Sequence, residues 1–158
     1  MTAFDDPRIA VPPQATPGWY FARRRNGEVP VQSFFDNLTN NLILNANYFP
    51  ADQKANRDFF VELSSRAENF LIQTIDFLRT DFDLVPGTIF RPERKKFYAI
   101  IRPVTQRLGI RFAVYRFRKV PMWIITHAFF KVTRTWPESE FEYAQTIVDE
   151  VISQFSTS

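Results

Sequence analysis

Arg111, Tyr115, His127 and Lys131 are chemistry-bearing residues that fall close together, four apart within two short stretches, with Arg134 just beyond. If 109–118 and 122–130 are strands, successive side chains alternate between faces. Arg111, Ala113, Tyr115 and Phe117 then point one way, and Trp123, Ile125, His127, Phe129 and Lys131 share a face of the next strand. Ile110, Phe112 and Val114 with Ile124, Ala128 and Phe130 make the natural core face, which leaves Arg111, Tyr115, Trp123, His127 and Lys131 on an open side. Cations on such a face would hold phosphates, and flat rings would stack on unpaired bases. Each residue also has an ordinary use. A lone histidine among apolar neighbours fits a hydrogen-bonded packing residue, and Tyr115 and Trp123 fit packing as well as stacking. Arg111 in mid-strand is harder to explain as filler, because a central guanidinium needs a partner or an open face.

The charge around these residues is one-sided. Residues 91–134 hold twelve Lys and Arg against one acid, Glu93, although the whole chain has 20 basic and 17 acidic residues. A basic stripe attracts polyanions and gives salt-dependent affinity. Lys95 and Lys96 belong to it and are expected to contact RNA. The alternative is a strand edge defended by cations against sheet-to-sheet pairing.

Positioning these residues requires a sheet and a cover. Residues 1–17 carry four of the 11 prolines and read as a flexible arm, with one domain over 18–158. A first strand is expected near 18–24, closed by Asn26-Gly27. Pro30 opens a helix to about residue 44, with Phe34, Phe35, Leu38 and Leu42 at helical spacing. A longer helix is expected from about Lys54 to Arg79, carrying the stripe Phe59, Phe60, Leu63, Ala67, Phe70, Leu71, Ile75 and Leu78. Together the two predict a helical hairpin laid across the sheet. Asp81 to Pro92, with Pro86-Gly87 and no periodicity, reads as a loop. Strands at about 96–102, 109–118 and 122–130 have short connections and predict an antiparallel meander. Thr135-Trp-Pro-Glu138 matches a capping box at the head of a last helix, with Thr135 as N-cap and Glu138 reaching back.

Composition closes off other classes. There are no cysteines and one histidine, which excludes disulfides and a His/Cys zinc site; no cofactor is expected. Apolar runs are far short of the roughly 20 residues that a membrane helix needs. The start, MTAFDDPRIAVPPQ, lacks the basic end and apolar run of a secretory signal, so the expectation is a cytoplasmic protein without a membrane partner.

Two segments together resemble a known family. GIRFAVYRF is similar to the Gly-x-Arg-x-x-x-Tyr strand of RelE/ParE superfamily toxins, and THAFFKVTRTWPESEFEYA to the HigB and phage Gp49-like branch. His127, Phe129, Lys131, Pro137 and Ala144 fall at matching spacing, and FYAIIR fits the preceding strand with Arg102 at its arginine. The likeness spans about 18–150 and is specific over 97–144. It departs at Val132, where the family has a second lysine, at Ile100, where a glutamate is usual, and at Tyr98 and Ile100, which replace the strand lysines of RelE.

The resemblance implies an α+β fold with a RelE-like antiparallel sheet, an N-terminal helical hairpin packed on one face and a C-terminal helix. It implies a type II toxin: a ribosome-dependent mRNA endonuclease that needs no metal and is neutralised by a cognate antitoxin. Arg111 and Lys131 would bind phosphate with Arg134 in support, while Arg102 and Tyr115 would bind RNA. His127, whose side-chain type changes charge near neutral pH, would be the general acid or base. A catalytically silent RNA- or protein-binding module of the same fold and a ParE-like gyrase inhibitor are the alternatives.

Overall fold

The computed structural model describes residues 10–39, 62, 65–66, 69–73, 90–94, 96–103, 109–117, 119–131 and 136–155. The fold is α+β, with five strands: β1 (Gly18–Phe21), β2 (Phe90–Arg94), β3 (Phe97–Pro103), β4 (Gly109–Phe117) and β5 (Met122–Lys131). They form one sheet in the order β1-β5-β4-β3-β2. The expected meander is there, since β3, β4 and β5 pair antiparallel in sequence order. The sheet is nevertheless mixed and not purely antiparallel, because β1 lies parallel to β5, with Trp19 opposite Trp123. A chain that leaves β1 for helices and returns through β2 reaches the far edge first, so β5 meets β1 running the same way.

Two further expectations change. The segment read as a loop to Pro92 ends in a strand, since Phe90–Arg94 pairs with β3 through a register shift between Pro92 and Arg94. Proline cannot donate to a sheet ladder and is tolerated on an outer strand, so Pro92 masks this element in the sequence without forbidding it. Of the arm, residues 10–17 are described: Ala10 bridges Phe21 in parallel, and Val11 and Ala15 pack against the core.

Among the described residues, three helical segments complete the fold. Helix α1 (Pro30–Thr39) starts at its proline as expected, and residues 40–44 lie outside the described set. A middle segment is helical at 62, 65–66 and 69–73; the rest of the expected 54–79 helix lies outside it. Helix α2 (Glu138–Ser153) closes the domain. The capping box does not form around Glu138. Pro137 is the N-cap with no side-chain hydrogen bond, and the Glu138 carboxylate takes both Arg94 guanidinium nitrogens at 2.7 Å. The helix begins at Glu138, so this residue stands at the first helical position and not at the third, where a capping box needs its acid. Thr135 lies outside the described residues.

Both faces of the sheet are covered. On one, Phe34 and Phe35 of α1 and Phe70 and Leu71 of the middle segment pack with Ile100, Ile110, Phe112, Val114 and Ile125, as the two apolar stripes predict. On the other, α2 lays Phe141, Ala144, Ile147, Val148 and Val151 over Ala99, Ile101, Ala113, Ile124 and Phe129. This second layer explains why β5 is apolar almost throughout: a strand with cover on both sides has no polar face to show.

Candidate functional site

The register of β4 and β5 decides which side chains meet. Gly109 faces Lys131, Arg111 faces Phe129 and Ala113 faces His127, but Val114 faces Ile125. Thr126 is the extra residue, a bulge that reverses the parity of β5 below it. Arg111, His127, Phe129 and Lys131 therefore share the α2 face, as alternation predicts. Trp123 does not join them. It lies on the α1 face, stacked on Trp19 at 5.0 Å and 6° between planes, and Ile124 has crossed to the α2 side. Arg111 sits diagonally between His127 and Lys131, roughly 7–8 Å from each by sheet geometry.

The face expected to be open is closed. His127 is 3% exposed, Lys131 5% and Tyr115 8%. The imidazole is stacked on Phe129 at 5.4 Å and meets the Tyr143 ring of α2 edge-on at 4.8 Å. Trp136, just before α2, caps Phe129 at 5.1 Å and stacks on Phe141 at 4.6 Å. An open face for Arg111 and Lys131, and hence charge removal without loss of packing, is thereby corrected for Lys131, whose stem is part of the buried layer.

Within this layer both nitrogens of His127 have polar partners. The bulge hydroxyl of Thr126 donates to the Ala113 carbonyl at 3.3 Å, so its oxygen can accept from Nδ1 at 3.1 Å. Nε2 then faces Glu140 Oε2 at 2.6 Å. Two bare acceptors at that distance would repel, so a proton lies between them, on the ring or on the carboxyl. A histidine whose other nitrogen is fixed and whose reactive nitrogen shares a proton with a carboxylate can move that proton. Sequence patterning does not single out Glu140. The signal it offers is its place in the first turn of the last helix, thirteen residues after the histidine.

A Cβ on Gly109 would stand 2.6 Å from Arg111 Nη1, the far end of a flexible side chain that can swing aside, so the guanidinium lies back along the strand over the glycine. Nη1 also reaches the Ile110 carbonyl at 3.4 Å. The other site candidates lie apart. Arg102 is on the opposite face, over the Phe70 ring at 5.1 Å, its Nε buried without a hydrogen-bond partner among the described residues. Tyr115 packs against Phe97 at 5.5 Å. Lys96 is exposed in the β2–β3 turn, its ammonium 6.0 Å from the Tyr115 ring. Lys95 and Arg134 lie outside the described residues. A shallow surface cleft between the β2–β3 hairpin and α2 is lined by Arg94, Phe97, Glu138, Phe141, Glu142 and Gln145, and by none of the expected site residues.

No protein-family model and no curated protein matches the chain. Among the described residues, no group of three or more His, Asp or Glu could hold a metal ion, and no helix is long and apolar enough to cross a membrane.

Two ion pairs fasten α2 at its ends. Arg24 binds Glu150 through Nε at 3.0 Å and Nη2 at 2.7 Å, and Arg25 N–H reaches the same carboxylate at 3.2 Å. The Arg24 hydrogen bonds hold the Glu150 carboxyl below its ordinary range, and those of Arg94 do the same for Glu138. Burial pushes the Tyr143 hydroxyl up.

Proposed function

We propose that this chain is a toxin of the RelE/ParE superfamily, HigB-like, that cleaves mRNA on the ribosome and is held in check by a cognate antitoxin. The observation that carries this reading is the β4–β5 register, which sets Arg111, His127 and Lys131 on one face with the Glu140 carboxylate on the histidine. In such a reaction the ribose 2′-oxygen bonds to phosphorus as the bond from phosphorus to the 5′-oxygen breaks. Arg111 and Lys131 would stabilise the charge gathering on the phosphate oxygens. His127, its Nδ1 held by Thr126, would exchange the proton it shares with Glu140. RNA would reach His127 only with the first two turns of α2 lifted, since Glu140 and Tyr143 occupy that space.

A second reading, a silent RNA-binding module of the same fold, is favoured by one observation: His127 and Lys131 are buried and both ring nitrogens of His127 are engaged. It takes the closed arrangement as final.

Induction of the full chain in a bacterial host separates the two. A nuclease arrests growth and leaves new mRNA ends inside translated frames. Arg111→Met and Lys131→Met keep the apolar stems and remove the charges, so each lowers cleavage by about a hundredfold or more with the circular dichroism spectrum unchanged. Wild-type chain that binds ribosomes and leaves mRNA intact establishes the binder. Undiminished cleavage by both variants refutes these residues as the site.

A further inference from the structure

The cations that remain accessible are gathered elsewhere. At the end of the sheet where β2 turns into β3 and β4 into β5, Lys96, Arg116 and Lys119 are all exposed. The two turns are side by side, since the Arg116 N–H donates to the Lys96 carbonyl at 2.9 Å. None of the three has a carboxylate partner among the described residues. Three cations elsewhere are paired with carboxylates, Arg24 with Glu150, Arg94 with Glu138 and Arg66 with Glu62, while the exposed Arg25 rests its guanidinium on the Ser153 hydroxyl. Two of the exposed three are seated on rings instead. Lys96 stands over Tyr115 on the α2 face, and Arg116 stands 5.3 Å over Trp123 on the α1 face, so the charges fan out to both sides of the sheet end. In sequence, Lys95 and Arg118 adjoin them.

Like charges gathered at one end of a sheet repel one another, more at low salt than at high. A cluster kept against that cost, with no acid placed to relieve it among the described residues, is shaped for an external anion. The surroundings say which kind. A protein interface has an apolar centre inside a polar rim, yet the only large hydrophobic exposed among the described residues is Ile152, at 37%. Recognition of bases needs open rings, and Tyr115 and Trp123 are buried beneath their cations. Charge remains without an apolar centre or a stacking platform.

We infer that this end of the sheet is a docking surface for the phosphate backbone of RNA, gripped through Lys96, Arg116 and Lys119 without reading the bases. The inference rests on the RNA-directed reading above and places the grip apart from the His127–Glu140 face. Docking then does not require α2 to move, and binding and cleavage can be abolished independently.

The test is fluorescence anisotropy of the full chain with labelled RNA hairpins of several sequences, titrated between about 50 and 200 mM salt. The variant K96Q/R116Q/K119Q is compared with R23Q/R25Q/R66Q, which removes equal charge elsewhere. Removing one cation from a phosphate lowers the slope of log affinity against log salt by roughly 0.7 to 0.9. The sheet-end variant should therefore reduce the slope by about two to three and the affinity by on the order of tenfold or more, and the other variant should bind as wild type. Hairpins of different sequence should bind alike, and polyglutamate should compete poorly. Equal weakening by both variants, strong sequence preference, equal competition by polyglutamate, or no binding by the wild-type chain overturns the inference. Sheet-end-dependent binding by a chain that cuts nothing leaves docking standing and removes the nuclease. Cutting and binding unchanged in the sheet-end variant does the reverse.

Discussion

The two ends of the β4–β5 hairpin treat the same chemistry in opposite ways. At the Gly109–Lys131 end, cation and imidazole are folded under α2 and Trp136, and the imidazole nitrogens meet protein partners. At the Phe117–Met122 end, Lys96, Arg116 and Lys119 face water with no carboxylate beside them among the described residues. One strand pair thus carries a closed polar layer that fixes the helix and an open cationic end that fixes nothing. Stability should therefore depend steeply on the first and hardly on the second, whereas affinity for a polyanion should show the reverse. A substitution that violates this division would show that the two ends are not separate devices.

The largest expected effect is at the closed end. Phe129 lies between His127 and Trp136, and truncation removes the surface on which both rings rest. Phe129→Ala should cost on the order of 3–5 kcal/mol, the range for deleting a buried aromatic side chain, read as a lowered midpoint in denaturant unfolding. A loss under about 1 kcal/mol would mean that the layer under α2 is not packed as described.

That layer is only half legible in the sequence. Alternation puts Arg111, His127 and Lys131 on one face correctly, because β4 is regular and β5 is regular above its bulge. Trp123 is misplaced because a bulge adds one residue and reverses parity, and Thr126 has no spelling that announces it. The open face fails for a different reason. Alternation tells which residues share a side and is silent on what covers it, and the apolar stripe of the last helix does not name the surface it will bury. The pairing of Glu138 with Arg94 is invisible since the partners are 44 residues apart; local capping rules see only the next turn. The β4–β5 turn, the start of α1 and the apolar stripe of the last helix are readable because each is set by neighbours within a few residues.

A smaller effect concerns how the closed end holds through pH. The Glu150 carboxyl has its pKa lowered by the Arg24 hydrogen bonds, with the Arg25 backbone N–H adding to them. A group whose folded pKa is depressed contributes stability above its unfolded pKa and loses it as pH falls through the folded one. Wild-type chain should thus lose stability as pH drops below the ordinary carboxylate range. In Glu150→Gln the acid-side fall should be shallower and the melting temperature at neutral pH modestly lower, both measured by thermal unfolding across pH. Coincident profiles for the two proteins would mean that the pair at the tail of α2 contributes nothing to docking the helix.

The smallest expected effect is the most diagnostic. K96Q/R116Q/K119Q changes three exposed side chains that make no ion pair among the described residues, and surface substitutions of this kind stay within about 0.5 kcal/mol of wild type. Two terms oppose each other. Taking the cations off Tyr115 and Trp123 is unfavourable, about 0.5–1 kcal/mol for each at an exposed site. Relief of repulsion between neighbouring cations is favourable and falls with salt, because screening already weakens it. The variant should therefore unfold at nearly the wild-type denaturant midpoint, and its stability relative to wild type should be greatest at low salt and decline as salt rises. A variant markedly less stable at every salt concentration would make these cations structural props for their rings. The contrast between the two ends of the hairpin would then collapse, since both would serve the core.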